Sequence, residues 1–175
     1  MKNRPLIVIS ACLAGEPVRY DGTDRCDKGL LQALRFAEVH PLCPEVGIGL
    51  GVPRPPIRLM AEGGVVRVRG VEDPALDVTD RLTGWGEAQL PLLASCDGVV
   101  LKSRSPSCGV AGVPRLLDDG SEDELGMGHF ASFVQAQFPQ LPLADDRQLQ
   151  DPRLLAAFTT AVKVHFSRSE RQGDE

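Results

Sequence analysis

The chain has 175 residues, 42% hydrophobic and 25% charged, enough to bury a core without covalent staples and too apolar for a disordered polyelectrolyte. A net charge of −5 excludes a general attraction to nucleic acid, so no polymeric nucleic acid partner is expected and any anion must be met by a local cationic patch. No apolar run approaches the roughly 20 residues that cross a bilayer, and an odd number of cysteines, five, with no export signal points to reduced thiols in the cytoplasm rather than a disulfide framework.

The continuous apolar run Leu6 to Ser10 predicts a strand buried on both faces. The following stretch, ACLAGEPVRYDG, is a loop punctuated by Gly15, Pro17 and Gly22. Asp27 can cap a helix running to about Phe36, and Ala37 to Leu42 reads as the second strand, ending at Cys43. The passage CPEVGIGLGVPRPPIRLM is too rich in Gly and Pro for a regular helix. Alternation on both sides of Gly63-Gly64 in IRLMAEGGVVRVRG predicts a hairpin. From Asp77 to Cys96 the apolar spacing is helical, but Gly84, Gly86 and Pro91 predict a kinked or broken helix.

Asp97-Gly98 turns into a third buried strand, Val99-Val100-Leu101, followed by KSRSPSCG. Gly126 to Phe138 reads as an amphipathic helix, Leu141 to Leu143 as a short fourth strand, and about Asp151 to Phe166 as the final helix before a disordered polar tail. The expected organisation is one domain over residues 1–168 with a polar tail at 169–175. Strands alternating with helices predict an α/β, Rossmann-like layered fold with a mostly parallel sheet of about four strands plus a β-hairpin excursion.

Cys12, Cys43 and Cys108 each follow the expected end of a strand, and in a parallel sheet the carboxyl ends lie along one edge, so the three can converge whatever their separation in sequence. Three thiols without an obvious fourth ligand suit an iron–sulfur cluster with one open iron; zinc with His40, His129 or water as fourth ligand is an alternative, as are three buried thiols with no metal. Cys96, in the apolar AQLPLLASCD, reads as a core residue and Cys26 as part of a surface turn. Glu45, two residues after Cys43, is placed to act as a general acid or base, or else caps a turn. Ser103, Ser105 and Ser107 share the Cys108 loop, where a hydroxyl can orient water or substrate or simply serve the turn.

Arg19, Arg54, Arg58, Lys102 and Arg104 add positive charge to the same loops, suited to a nucleotide phosphate, although solvated loop charges would look the same. Tyr20 can set its ring against a planar base or pack on its own loop. Two patterns are set aside. GMGHFA, at Gly126, is read as a helix start because the preceding GSEDEL is polar and no buried strand leads into it, and Asp145-Asp146 is read as a solvated turn.

Taken together, ISACLAGEPVRYDG, HPLCPEVGIGLGVPRPP and LKSRSPSCG resemble the 2-thiouracil desulfidase family, and the likeness runs from about Leu6 through FPQLPLADD to the helix after it. The resemblance implies a desulfidase-like catalytic domain with a [4Fe–4S] cluster on Cys12, Cys43 and Cys108, one iron lacking a protein ligand. It also implies catalytic roles for Glu45 and Ser105. The implied reaction is hydrolytic: water replaces the sulfur of a thiolated pyrimidine base or nucleotide and hydrogen sulfide leaves. Ser103, Lys102, Arg104 and Tyr20 are then candidates to hold the substrate. The competing expectations are a non-catalytic iron–sulfur or zinc protein and a cluster-free persulfide carrier on Cys108, its thiol activated by Lys102 and Arg104.

Overall fold

The computed structural model describes residues 3–172. In chain order its elements are β1 (Leu6–Ser10), α1 (Lys28–Ala33), β2 (Glu38–Leu42), α2 (Pro44–Gly47), β3 (Ile57–Glu62), β4 (Val65–Gly70), α3 (Thr79–Ala88), α4 (Leu90–Ser95), β5 (Gly98–Leu101), β6 (Val113–Leu116), β7 (Glu122–Gly126), α5 (His129–Gln137), β8 (Leu143–Asp145), a 3-10 turn at Gln148–Gln150, and α6 (Pro152–Gln172).

The apolar run of β1 lies inside an all-parallel sheet of order β2-β1-β5-β8. Successive side chains of a strand point to opposite faces, so Ile7 and Ile9 pack with Leu30, Leu34, Phe158 and Val162, while Val8 packs with Leu93, Phe130 and Val134. Helices therefore cover both faces of the sheet, and each large side chain buried in these layers contributes about 1.5–3 kcal/mol. The edge strand β2 is largely exposed and carries Pro41, whose missing N–H an edge tolerates. Asp27 caps α1 as expected, accepting from Leu30 N at 2.9 Å. The expected break between Asp77 and Cys96 falls at Gln89, with Pro91 in the first turn of α4.

The α/β layering and the four-stranded parallel sheet agree with expectation, but the hairpin is more than an excursion. β3 and β4, joined at Gly63-Gly64 with both φ angles positive, form half of a second sheet of order β4-β3-β6-β7. The other half is an unforeseen hairpin, β6 and β7, turning at Asp119-Gly120. Within GSEDELG, Glu122–Gly126 forms a strand, mostly exposed, leading into α5 through Gly128, so the helix starts at His129 and not at the expected Gly126. Acidic side chains suit the strand because β7 is an edge, where charge discourages pairing with other chains. Leu59, Val68 and Val113 of this sheet bury against Val78 and Leu82.

Three further corrections concern the C-terminal third. The fourth parallel strand begins at Leu143 and not Leu141, so Asp145 closes a strand and is buried, accepting from Gln148 N at 2.9 Å. Asp146 is equally engaged, as described below, and the pair is not a solvated turn. The last helix runs on to Gln172, past the expected end at Phe166, so the first part of the expected tail is helical; positions 173–175 lie outside the described residues.

Candidate active site

The chain leaves β1 toward β2 on one side and reaches β5 on the other, so the loops after β1, β2 and β5 diverge at a switch point at the carboxyl edge. Between them lies a cavity of about 410 Å³. The expected ligands Cys12, Cys43 and Cys108, the expected catalytic residues Glu45 and Ser105, and the substrate-binding candidates Ser103, Lys102, Arg104 and Tyr20 all line it. Arg58 does not; it lies on β3, 3.9 Å from Glu122.

Backbone bonds between loops set the thiols. Ala11 N donates to Leu42 O at 2.7 Å, joining the Cys12 loop to the end of β2, and Arg25 N donates to Cys12 O at 2.9 Å. Cys43 occupies the N-cap of α2, where Pro44 gives up no needed N–H. The Cys108 loop is held by the start of α5: Gly128 N donates to Gly109 O at 2.7 Å, His129 N to Pro106 O at 2.9 Å and Phe130 N to Ser107 O at 2.8 Å. A Cβ on Gly128 would stand 2.6 Å from Cys108 N, so only glycine allows this approach. The second glycine of GMGHFA thus serves the cysteine loop, while the His129 ring lies 2.8 Å from Thr83 Oγ1 and does not line the cavity, so it is no fourth ligand beside the thiols.

Burial pushes the Cys12 thiol up to about 11, opposed by Arg19, and also raises Cys43 and Cys108. Buried thiols of this kind lose their protons on taking up a metal centre, and the shift runs opposite to that of a reactive persulfide carrier. Among the described residues, no three His, Cys, Asp or Glu side chains are grouped to hold a single metal ion. Three thiols spread round one cavity instead suit a cluster, in which each thiolate takes a different iron. Cys26 is exposed and Cys96 buried, in the settings expected of non-ligands.

The charges are distributed differently from expectation. Lys102 Nζ binds Asp146 Oδ2 at 3.0 Å and Ser103 Oγ at 2.9 Å, and Asp146 Oδ1 accepts from Ser103 N at 2.6 Å. Arg104, the one non-glycine residue with positive φ (59°) among those described, pairs with Glu124 of β7 at 3.0 Å. Arg54 is no solvated loop charge: it is 7% exposed and its Nε donates to Glu45 Oε2 at 2.8 Å. Ser105 Oγ accepts from Ser107 N at 3.2 Å and Cys108 N at 3.1 Å, which fixes the loop and leaves its hydroxyl proton to donate. Reading the sequence missed Ser10, whose hydroxyl accepts from Lys102 N at 2.9 Å and reaches Cys108, and gave Ser107 no specific role, although its hydroxyl donates to Glu45 Oε1 at 3.0 Å. No local signal separates Ser107 from its two neighbouring serines.

The model of the 2-thiouracil desulfurase family matches residues 7–146. Uncharacterized protein YbbK of Bacillus subtilis (strain 168) is 30% identical over 111 residues, 59% of this chain and 73% of that protein. The solved structure of the [4Fe-4S]-dependent thiouracil desulfidase TudS superimposes with a TM-score of 0.71 at 30% identity, covering 90% of this chain and 99% of that one. The expected relationship is borne out: the chain belongs to the 2-thiouracil desulfurase family and is an enzyme of that α/β fold.

Proposed function

We propose that this protein, acting in the cytoplasm through the domain at residues 1–168, hydrolyses the carbon–sulfur bond of a thiolated pyrimidine. Water supplies the new oxygen of the base and hydrogen sulfide is released, so atoms balance without an electron donor. The observation that carries this reading is the meeting of three thiols, Cys12 and Cys108 buried and Cys43 half-buried, and one carboxylate on a single cavity at the carboxyl edge. Cys12, Cys43 and Cys108 would hold a [4Fe–4S] cluster with one iron free of protein ligands. When bound, that cluster supplies a Lewis acid for the thione sulfur.

Glu45, whose two oxygens already accept hydrogen bonds as a carboxylate does, keeps further acceptor capacity and takes the proton of the attacking water. Ser105, its oxygen held by two backbone amides, donates to the substrate or the water. Tyr20 borders the cavity and is 43% exposed, a surface for the flat base, with Ser103 at the opposite loop. Of the cavity's cations, Lys102 is paired to Asp146 and Arg104 to Glu124, so they shape the loop and touch substrate only at its edge. Arg19 and Arg25 line the cavity with no carboxylate at salt-bridge distance among the described residues; a nucleotide's phosphate would meet these two. No helix among the described residues is long and apolar enough to cross a membrane.

The test is iron and acid-labile sulfide content with a visible spectrum on protein reconstituted without oxygen, followed by 2-thiouracil turnover. A four-iron cluster with sulfide release supports the reading. A loaded cluster that turns over neither thiouracil nor a thiouridine nucleotide would sink the substrate assignment, and stoichiometric zinc would sink the cluster.

A further inference from the structure

Glu45 is gripped from two sides. Arg54 Nε donates to Oε2 at 2.8 Å and Ser107 Oγ donates to Oε1 at 3.0 Å. Neither holder is loosened by water, since Ser107 is 0% and Arg54 7% exposed. Each is itself tied down. Arg54 Nη1 donates to Gly51 O and Arg54 N to Tyr20 O, both at 2.9 Å. Ser107 N donates to Ser105 Oγ at 3.2 Å, and Ser107 O accepts from Phe130 N at 2.8 Å.

A buried ion pair is a weak source of stability, because desolvation of both charges offsets most of their attraction. Its geometric effect is larger. A free glutamate side chain samples several rotamers; one with each oxygen bonded to a fixed donor is restricted to one. Each oxygen accepts two hydrogen bonds, so this grip leaves acceptor sites open. The two holders come from different segments, Arg54 from the Gly/Pro passage and Ser107 from the residue before Cys108. Correct folding of the Cys108 loop is thereby a condition for aiming Glu45.

We propose that Arg54 and Ser107 are positioning residues that hold the Glu45 carboxylate toward the cavity. The assignment rests on the desulfidase reading for its kinetic consequence, though not for its structural one. The experiment compares wild type with Ser107→Ala, Arg54→Lys, Arg54→Met, Glu45→Gln and the double variant Ser107→Ala/Glu45→Gln, all reconstituted with iron and sulfide without oxygen. Ser107→Ala is expected to lower kcat for 2-thiouracil about tenfold to a hundredfold while KM changes less than about threefold. Its iron content and visible spectrum stay at the wild-type level. Arg54→Lys retains more kcat than Arg54→Met. In the Glu45→Gln background, removing the Ser107 hydroxyl costs less than about twofold more, because it acts through Glu45.

Wild-type kcat in Ser107→Ala, an additive loss in the double variant, or loss of iron in place of rate would overturn the proposal. Anaerobic crystal structures of wild type, Ser107→Ala and Arg54→Met read the grip without turnover. A Glu45 carboxylate displaced by more than about 1 Å supports it, and one that stays in place in both variants refutes it, even if the wild type proves inactive on thiouracil.

Discussion

Arg54–Glu45 and Arg115–Asp123 are both Arg–carboxylate pairs at 2.8 Å, yet they belong to different physical settings. The first lies at the carboxyl edge of the parallel sheet, with side-chain exposures of 4% and 12%; the second crosses the β6–β7 hairpin of the other sheet, at 26% and 22%. Water and salt weaken the second, and its partners can each find other company. In the first, removing either partner strands a charge in a nearly dry site. Equal distance therefore says little; burial decides whether a pair carries consequences. The same contrast separates the sheets, one covered on both faces and bearing the thiols, the other bearing surface charge.

The sharpest way to break the comparison is to attack the buried edge itself. Cys108→Ser is expected to abolish both cluster and sulfide release, checked by iron analysis after reconstitution; a variant that keeps four irons per chain would remove Cys108 from the ligand set. Glu45→Ala should keep the visible spectrum and lose about 10²–10⁴-fold in turnover, and a retained full rate would remove Glu45 from the mechanism. Gly128→Ala places a methyl 2.6 Å from the Cys108 amide, so its cost is that of an overpacked site, about 1–3 kcal/mol. Denaturant unfolding reads that cost, and slower iron uptake marks the disturbed loop.

The exposed pair should show the smallest effect. The Arg115 hydrogen bond holds Asp123 down at about 2, from 3.8 for an unperturbed carboxyl. A depressed folded value means that the contribution to stability is present above the unfolded value and is lost as pH falls through the folded one. Asp123→Asn should thus lower Tm slightly at neutral pH, with the difference from wild type shrinking between pH 4 and pH 2, and leave thiouracil turnover unchanged. A large loss of turnover would show that the two regions are coupled, through Arg104 and Glu124.

Much of the framework was legible because it rests on local rules. The uninterrupted apolar run of β1 announces a two-sided strand, Gly63-Gly64 a tight hairpin, and Pro91 a broken helix. Cysteines just past strand ends could be assigned to one edge because parallel strands share their direction. The β6–β7 hairpin escaped because Glu122, Asp123 and Glu124 do not look like a strand, and only Asp119-Gly120 hinted at the turn. The extension of α6 escaped because its last residues are polar, a pattern shared by tails and exposed helix ends.

The amino-acid order by itself determined the fold class, the family and the candidates for the cavity, because strand and turn preferences act over a few residues and the topology rule does the rest. Which cation meets which carboxylate was decided by tertiary structure alone. Ser107 reaches Glu45 across 62 positions and Lys102 reaches Asp146 across 44, so these bonds depend on how the loops meet. Charges that read as a substrate-binding patch prove in part to be spoken for, since a buried ion must find its partner wherever the fold brings one within reach.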